Sequence, residues 1–477
     1  MIKKPKNSFY VTTSIAYANS KPHIGYAMEL FQADTLARFK YQSDFETFFL
    51  TGTDEHGQKL KEAATKHGVE VAEYVDELSK TFQDLTKAMK LRNDKFVRTT
   101  DASHKKSAQK LWSACADDIY KGEYEGLYCV GHEAFLKESD LTEGVCPDHK
   151  TKPENIKLES YFFKLSKYAP KLKELIGSGK LRIVPEKRRN EMLSFIESGL
   201  EDISISRPKS QLDWGVEVPG DPEHVMYVWF DALSNYISAI GYADDSEEFK
   251  KFWPANVHVI GKDIARFHCL LWPAMLLSAE LQTPEAVYVH GFITSGGQKM
   301  SKSLGNAVDP VEVINEHGND PLRYYLLRYI PSYNDGDYSE DRFIEVYNSD
   351  LANNLGNLVA RVANMVKKYN DGNYENFDVS PIDISAHMEK FQFDKTLEEL
   401  FSRFSELNVL IDEKKPWELH KSNPRQTVEV LNSIVSEILA INVALGAFMP
   451  ETSQKISQIF HEGKVSPEPI ILFPKII

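Results

Sequence analysis

Ser8 to Gly52 reads SFYVTTSIAYANSKPHIGYAMELFQADTLARFKYQSDFETFFLTG, and this stretch decides the fold. SFYVTTSI, Ser8 to Ile15, alternates apolar and β-branched residues, the pattern of a strand. A polar turn with Asn19, Ser20 and Pro22 follows. From Ile24 to Gln42 apolar residues recur at helical spacing, and Ile24, Met28, Phe31, Leu36 and Phe39 fall near one face. ETFFLTG, Glu46 to Gly52, is a second strand. Strands joined by a crossover helix of this length run parallel, with a right-handed connection. The chain is therefore α/β, and the loops at its strand carboxyl ends are expected to carry a ligand.

Working outward, residues 61–118 read as mostly helical, whereas Tyr124 to Trp214 shows short runs, scattered Gly and Pro, and Cys/His pairs. Sheet-like MYVWF and VHVIG come next, then the helix-like FHCLLWPAMLLSAEL, the strand VYVHGFI and a glycine-flanked loop, SGGQKMSKSLGN. From about Asn348 onward the pattern is helical, as in LANNLGNLVARVANMVKKY. These changes of texture set boundaries. Residues 1–118 and 215–294 are expected to form two halves of a parallel-sheet domain, with 119–214 a connective module inserted between them. Residues 295–347 form a lysine-bearing loop and linker, and 348–477 an α-helical bundle with a tail.

A chain of 477 residues with 42% hydrophobic and 26% charged residues is a globular protein of two to four domains. No uninterrupted apolar run approaches the roughly 18 residues that cross a bilayer. The N-terminus has no signal-peptide core, so a cytoplasmic protein without membrane partners is expected. The formal charge of −14 does not advertise nucleic-acid binding, although local clusters such as Lys187, Arg188 and Arg189, or Lys367 and Lys368, matter more than the total. Four cysteines are too few for a disulfide scaffold, and Cys115 and Cys269 read as buried thiols.

Pro22-His23-Ile24-Gly25-Tyr26 stands where the first strand turns into the first helix. A helix N-terminus presents N–H groups and a positive dipole end to phosphate. His23 can donate to a phosphoryl oxygen, and Gly25 lets a flat ring approach the backbone. Lys299-Met300-Ser301-Lys302-Ser303 follows the pair Gly296-Gly297. Two lysines three apart in such a loop suit a closing polyphosphate clamp that offsets charge on a leaving group. No GxxxxGK[ST] is present, so the phosphate cradle is not a P-loop.

Together these two elements resemble the HIGH and KMSKS signatures of the class I aminoacyl-tRNA synthetases. KMSKS is matched throughout, while Tyr26 stands in place of the last histidine of HIGH; Tyr26 donates an O–H but cannot become cationic. SIAYANSKPHIGY, TGTDEHGQK, YVWFDALSNYI, GKDIARFHCLLWPA and KKPWEL, in that order, are similar to the methionyl-tRNA synthetase family across nearly the whole chain. The resemblance implies a Rossmann-type catalytic domain followed by an anticodon-binding helical bundle. It also implies an ATP-dependent ligase whose partners are L-methionine, ATP with Mg2+ and tRNA(Met). It assigns catalytic charge stabilisation to His23, Lys299 and Lys302, with Gly25, Tyr26, Gly261 and Asp263 also at ATP. Asp54 would hold the substrate ammonium. Ile15, Tyr17, Trp229, Ala232, Leu233, Tyr236, Ile264 and His268 would wall the methionine pocket, with Leu233 where some relatives have proline. An apolar, aromatic-rich slot with a polar group near sulfur is what a thioether requires.

Cys129-x2-His132 and Cys146-x2-His149 have knuckle-like spacing for tetrahedral zinc, although relatives with one zinc carry more cysteine here. In the helical region Asn357 and Arg361 are one turn apart, and Trp417 follows Pro416. The resemblance places all three at the tRNA anticodon, where stacking and edge hydrogen bonds read single-stranded bases. The chain ends soon after the bundle, and a monomer is the expectation. Two rivals differ in class or scope: a small nucleotidyltransferase, which would not need the bundle, and a tRNA-binding homologue with impaired catalysis, for which Tyr26 is the only sign.

Overall fold

The computed structural model describes residues 7–129, 134–136, 138, 141–147, 150–300, 306–375 and 379–476. The main sheet contains β1 (Ser8–Thr13), β2 (Glu46–Asp54), β3 (Lys95–Arg98), β4 (Arg182–Val184), β5 (Val257–Gly261) and β6 (Ala286–His290). They lie side by side as β3-β2-β1-β5-β6-β4, all parallel, and the short Ala16–Tyr17 extends the β1 side of β2. β1, β5 and β6 are buried along their whole length, as parallel strands covered on both faces must be. Val11 of β1 faces Phe49 on one side and Val257 on the other. Chain order reverses at β1, so a crevice opens beyond the carboxyl ends of β1 and β5.

Helices α1 (Ile24–Gln42), α2 (Ala102–Ala114) and α3 (Val228–Leu233) carry groups that reach this crevice or its surroundings. The expected apolar stripe of α1 is buried, with Phe39 half-buried, but so is most of its circumference, including Glu29, Gln32, Asp34 and Thr35. The second covering layer is helical. Arg323, on α4 (Asn319–Arg328), is fully buried and bonds Asp34 at 2.5 Å and the carbonyl of Phe448 at 2.7 Å. Asp34 also accepts from Arg38 and from the Arg92 amide, so the charge buried on α1 is surrounded by donors.

The helical region is built from α5 (Asn357–Asn370), α6 (Phe393–Lys414), α7 (Pro416–Ser422) and α8 (Pro424–Leu445). One continuous hydrophobic core joins Phe31 of α1 and Tyr288 of β6 to Leu358, Phe404 and Ile438 of these helices. Within residues 119–214, Ile119–Cys129, Ala134–Leu136, Glu154–Phe163 and Ile203–Ser204 make a separate antiparallel sheet, while β4 from the same stretch adds to the edge of the main sheet.

Several elements differ from their sequence reading. MYVWF was expected as strand, but only Met226 ends one, and Val228–Leu233 is helix; a short buried apolar run has no periodicity to separate the two. β3 interrupts a stretch read as helical. Phe267–Leu271 forms a wide π-type turn ahead of Trp272–Ser278, because Pro273 has no N–H to give the carbonyl of Cys269. Helix α8 is long and apolar enough to cross a membrane by length and composition, although Asn432, Ser433, Ser436 and Glu437 interrupt its apolar run. Its Leu431, Ile434, Val435, Ile438 and Ile441 are buried in the bundle core.

Candidate active site

Three strand ends build the crevice. Past β1, His23 caps α1: its Nδ1 accepts from the Gly25 amide at 3.1 Å, which leaves Nε2 as the nitrogen that carries the ring proton. The imidazole lies against Gly25 so closely that a Cβ there would stand 2.9 Å from its Cε1. Glycine is thus required for His23 to sit over the helix end, exposed to solvent. Tyr26, half-buried one turn in, directs its hydroxyl to Thr51 Oγ1 at 3.0 Å and packs edge-on to Phe82. Burial pushes its phenol far above the ordinary range, so it stays neutral. Its hydroxyl partners lie within the sheet, which makes Tyr26 a brace for the helix entry.

At the end of β2, Asp54 is buried and its carbonyl accepts from the Ala18 amide at 2.9 Å. The next two residues are tied down. Glu55 receives a two-pronged bond from Arg98 at 2.7 and 2.8 Å, and His56 Nδ1 meets Asp231 of α3 at 2.6 Å. Trp214 Nε1 donates to the Glu55 carbonyl at 2.6 Å.

The pocket residues assemble from α3, the segment after it and the π-type turn. His268 Nδ1 faces the Ile264 carbonyl at 3.0 Å, so that nitrogen is the donor and Nε2 the acceptor. Tyr236 therefore donates its hydroxyl proton to His268 Nε2 at 2.6 Å and turns only oxygen lone pairs elsewhere. Burial pushes the His268 imidazole down to about 4, so it stays neutral. The Trp229 and Phe267 rings stack at 3.9 Å, almost parallel, and Ala232 and Leu233 are buried beside them. Ile15, Tyr17 and Ile264 are half-buried.

Past β5, a Cβ on Gly261 would stand 2.9 Å from Asp263 Oδ1 and 3.7 Å from His290 Cε1. The bare backbone leaves room for Asp263, which is exposed in the following turn. Lys262 is engaged elsewhere, with Asp335 at 2.6 and 2.7 Å. Beyond β6, Ile293–Ser295 and Gln298–Lys299 form a hairpin closed by Gly296 and Gly297, both at positive φ, as a two-residue turn of this kind needs. Met300 is buried. Ser301, Lys302 and Ser303 lie outside the described residues, as do His132 and His149 of the Cys/His pairs; Cys129 and Cys146 are buried. Among the described residues no group of three or more metal-binding side chains gathers.

In the bundle, the Arg361 guanidinium covers the Trp417 ring at 5.2 Å and bonds Asp412 at 2.6 Å, with Asn357 exposed one turn earlier on the same helix. Trp417 is 37% exposed, unusual for an indole.

Two buried polar clusters went unread in the sequence. Glu29 accepts from the Ser14 amide at 2.8 Å and hydroxyl at 2.5 Å, and meets His290 Nε2 at 2.9 Å. His290 Nδ1 faces the Gly291 carbonyl at 2.7 Å. With an acceptor at each nitrogen, both carry protons; burial alone would lower this imidazole, but Glu29 outweighs it and the net direction is upward. The second cluster is His56, Asp231 and His104. The available signal was a charged or imidazole residue inside an otherwise apolar run: AMELF, VYVHGF and VWFDAL.

A parallel sheet whose order reverses at a capped histidine turn, with an acidic strand end on one side and a lysine-bearing hairpin on the other, is the architecture of an ATP-activating class I ligase. The family model described as tRNA synthetases class I (M) matches residues 9–156 and 138–363. The chain belongs to that family. It is 44% identical over 470 residues to the methionine–tRNA ligase of Caldanaerobacter subterraneus subsp. tengcongensis, covering 94% of this chain and 73% of the relative. It is 42% identical over 469 residues to that of Rickettsia bellii, covering 94% and 92%. The structure of Mycobacterium tuberculosis methionyl-tRNA synthetase in complex with methionyl-adenylate superposes with a TM-score of 0.91 at 37% identity, covering 98% of this chain and 100% of that one.

Proposed function

We propose that this chain activates L-methionine with ATP and transfers it to the 3′-terminal adenosine of tRNA(Met). The observation that carries this reading is the superposition, over 98% of this chain, on a synthetase solved with methionyl-adenylate, supported by a crevice bordered by His23, Asp54 and Gly261. In the first step a methionine carboxylate oxygen bonds to the α-phosphorus of magnesium-bound ATP, and the bond from that phosphorus to the bridging oxygen of pyrophosphate breaks. In the second step the 2′-hydroxyl of the tRNA adenosine attacks the adenylate carbonyl, loses its proton and expels AMP.

No side chain bonds covalently to substrate in this scheme; catalysis is positioning plus charge stabilisation. Asp54 holds the ammonium, and the slot between Trp229 and the Tyr236–His268 pair holds the thioether. The neutral His268 and the committed Tyr236 proton leave this end of the slot soft and uncharged, suited to sulfur. Asp263 accepts from the ribose hydroxyls, and Gly261 gives the sugar room. His23 donates Nε2–H to phosphate, and Lys299 and Lys302 follow the charge that builds on pyrophosphate. Tyr26 acts on ATP indirectly, through the turn it braces. Asn357, Arg361 and Trp417 read anticodon bases, the indole face opposite Arg361 offering a stacking platform.

Zinc, where bound, is held by Cys129, His132, Cys146 and His149. The two buried thiols and the tight turn around Cys146, whose amide donates to Thr151 and whose carbonyl accepts from Lys150, support that reading. The metal would be structural, fixing the inserted sheet. We place the protein in the cytoplasm, in keeping with its free, buried Cys115 and Cys269 thiols. Charging of tRNA(Met) with labelled methionine by the purified protein tests the whole reading: acid-precipitable label is expected, and its absence with active tRNA refutes it.

A further inference from the structure

Asp231 lies fully buried on α3, between Trp229 and Ala232, and each of its carboxylate oxygens meets one imidazole. Oδ2 meets His56 Nδ1 at 2.6 Å, and Oδ1 meets His104 Nε2 at 2.8 Å. His104, on α2, reaches on through Nδ1 to Ser238 Oγ at 2.9 Å, past the end of the pocket segment. His56 is two residues beyond Asp54 and packs edge-on to Trp214. One carboxylate thus ties the loop that carries the ammonium ligand to the helix that carries the side-chain pocket, with α2 as the backing.

Stability does not account for such an arrangement. Burying ions costs about as much as their pairing returns, and apolar replacements are often neutral or better. Geometry does account for it. An amino acid is gripped at two points, ammonium and side chain, and a displacement of about 1 Å between such points costs on the order of a hundredfold. Neither Asp54 nor Trp229 is joined to the other by the sheet: β2 ends at Asp54, and α3 lies outside the sheet.

We infer that Asp231, braced by His104, is a positioning residue for methionine, setting the separation between Asp54 and the Trp229 wall through His56. This rests on the reading of the crevice as a methionine site. The bonds of Asp231 run to His56 and His104, and on to Ser238, on the Asp54 and α3 side of the crevice, so the effect is expected on methionine more than on ATP.

The test is methionine-dependent ATP–pyrophosphate exchange, with methionine affinity read independently by tryptophan fluorescence, for the wild type, Asp231→Asn, His104→Gln and the double variant. The Asn variant keeps shape but turns an amide donor toward one imidazole. The expected result is a methionine KM and Kd raised about tenfold or more, with the ATP KM within about twofold. His104→Gln shifts the same way, and the double variant is no worse than Asp231→Asn alone. Methionine and ATP constants that move together, or a fall in kcat that only tracks the thermal midpoint, would overturn the inference. If Asp231→Asn fails to fold, an unchanged methionine KM in His104→Gln overturns it equally. A wild type that neither exchanges nor binds methionine would instead remove the functional reading beneath it.

Discussion

Replacing Glu29 probes the crevice where β1, α1 and β6 meet. Its carboxylate takes both donors of Ser14 and the Nε2–H of a buried imidazolium, His290. Hydrogen bonds to a charged group contribute about 1.5–3 kcal/mol each, and removing one partner of a buried pair costs about 3–5 kcal/mol. Glu29→Ala should therefore destabilise by about 3 kcal/mol, the low end, because His290 can shed its proton instead of staying charged and unpaired. Glu29→Gln still accepts from Ser14, but its amide faces Nε2 as a donor, so the histidine must be neutral there. The pH dependence has a definite sign. The His290 imidazole is raised above its ordinary value of about 6.5. Its contribution is complete below that ordinary value and is lost as pH rises through the folded one. Urea unfolding should show the gap between wild type and Glu29→Gln widest below the ordinary imidazole value of about 6.5 and narrowing as pH rises above it. A gap that is flat with pH, or widens with it, would refute the imidazolium assignment.

Other changes separate the roles of neighbouring groups. Tyr26→Phe removes a hydroxyl bonded to Thr51 and should cost about 1 kcal/mol of stability, with the ATP KM moved less than about twofold; a much larger change in ATP KM would mean the hydroxyl touches phosphate. Tyr236→Phe leaves His268 Nε2 buried without its donor and should raise the methionine KM about tenfold in pyrophosphate exchange, while an unchanged KM would place the thioether elsewhere. Trp417→Ala should raise the tRNA KM in charging by about 1–3 kcal/mol per stacked base, with exchange in the absence of tRNA at the wild-type rate. Equal losses in both assays would contradict an anticodon role.

The β1–α1–β2 unit was legible because a β-branched run, a polar turn, a long breaker-free helical stretch and a second β-rich run follow one another closely, although β1 and α1 are buried on nearly all sides, and the crevice followed from parallel connectivity alone. His23, Asp54 and Asp263 stood out by their motifs; Asp54 ends β2, Asp263 lies in the turn after β5, and His23 caps α1 in the segment that follows β1. The reason Gly25 must be glycine became visible only with the His23 ring in place. MYVWF was misread because burial erases periodicity, and KFVR, Lys95 to Arg98, because four residues carry too little signal. The Glu29–His290 pair joins residues 261 apart and His56–Asp231 residues 175 apart, and no local pattern announces partners so distant. The near-complete burial of α1 was hidden for the same reason: its second covering layer, Arg323 and the Phe448 loop, arrives from the far end of the chain.

Methionine-dependent ATP–pyrophosphate exchange on the purified protein, with the other amino acids as controls, tests the central claim most directly. Exchange that responds to methionine, and weakly if at all to the others, is the expected result, and it would hold both the chemistry and the pocket to the residues named. No exchange with any amino acid, in protein that still binds tRNA(Met), would contradict the account and leave the chain a tRNA-binding member of its family.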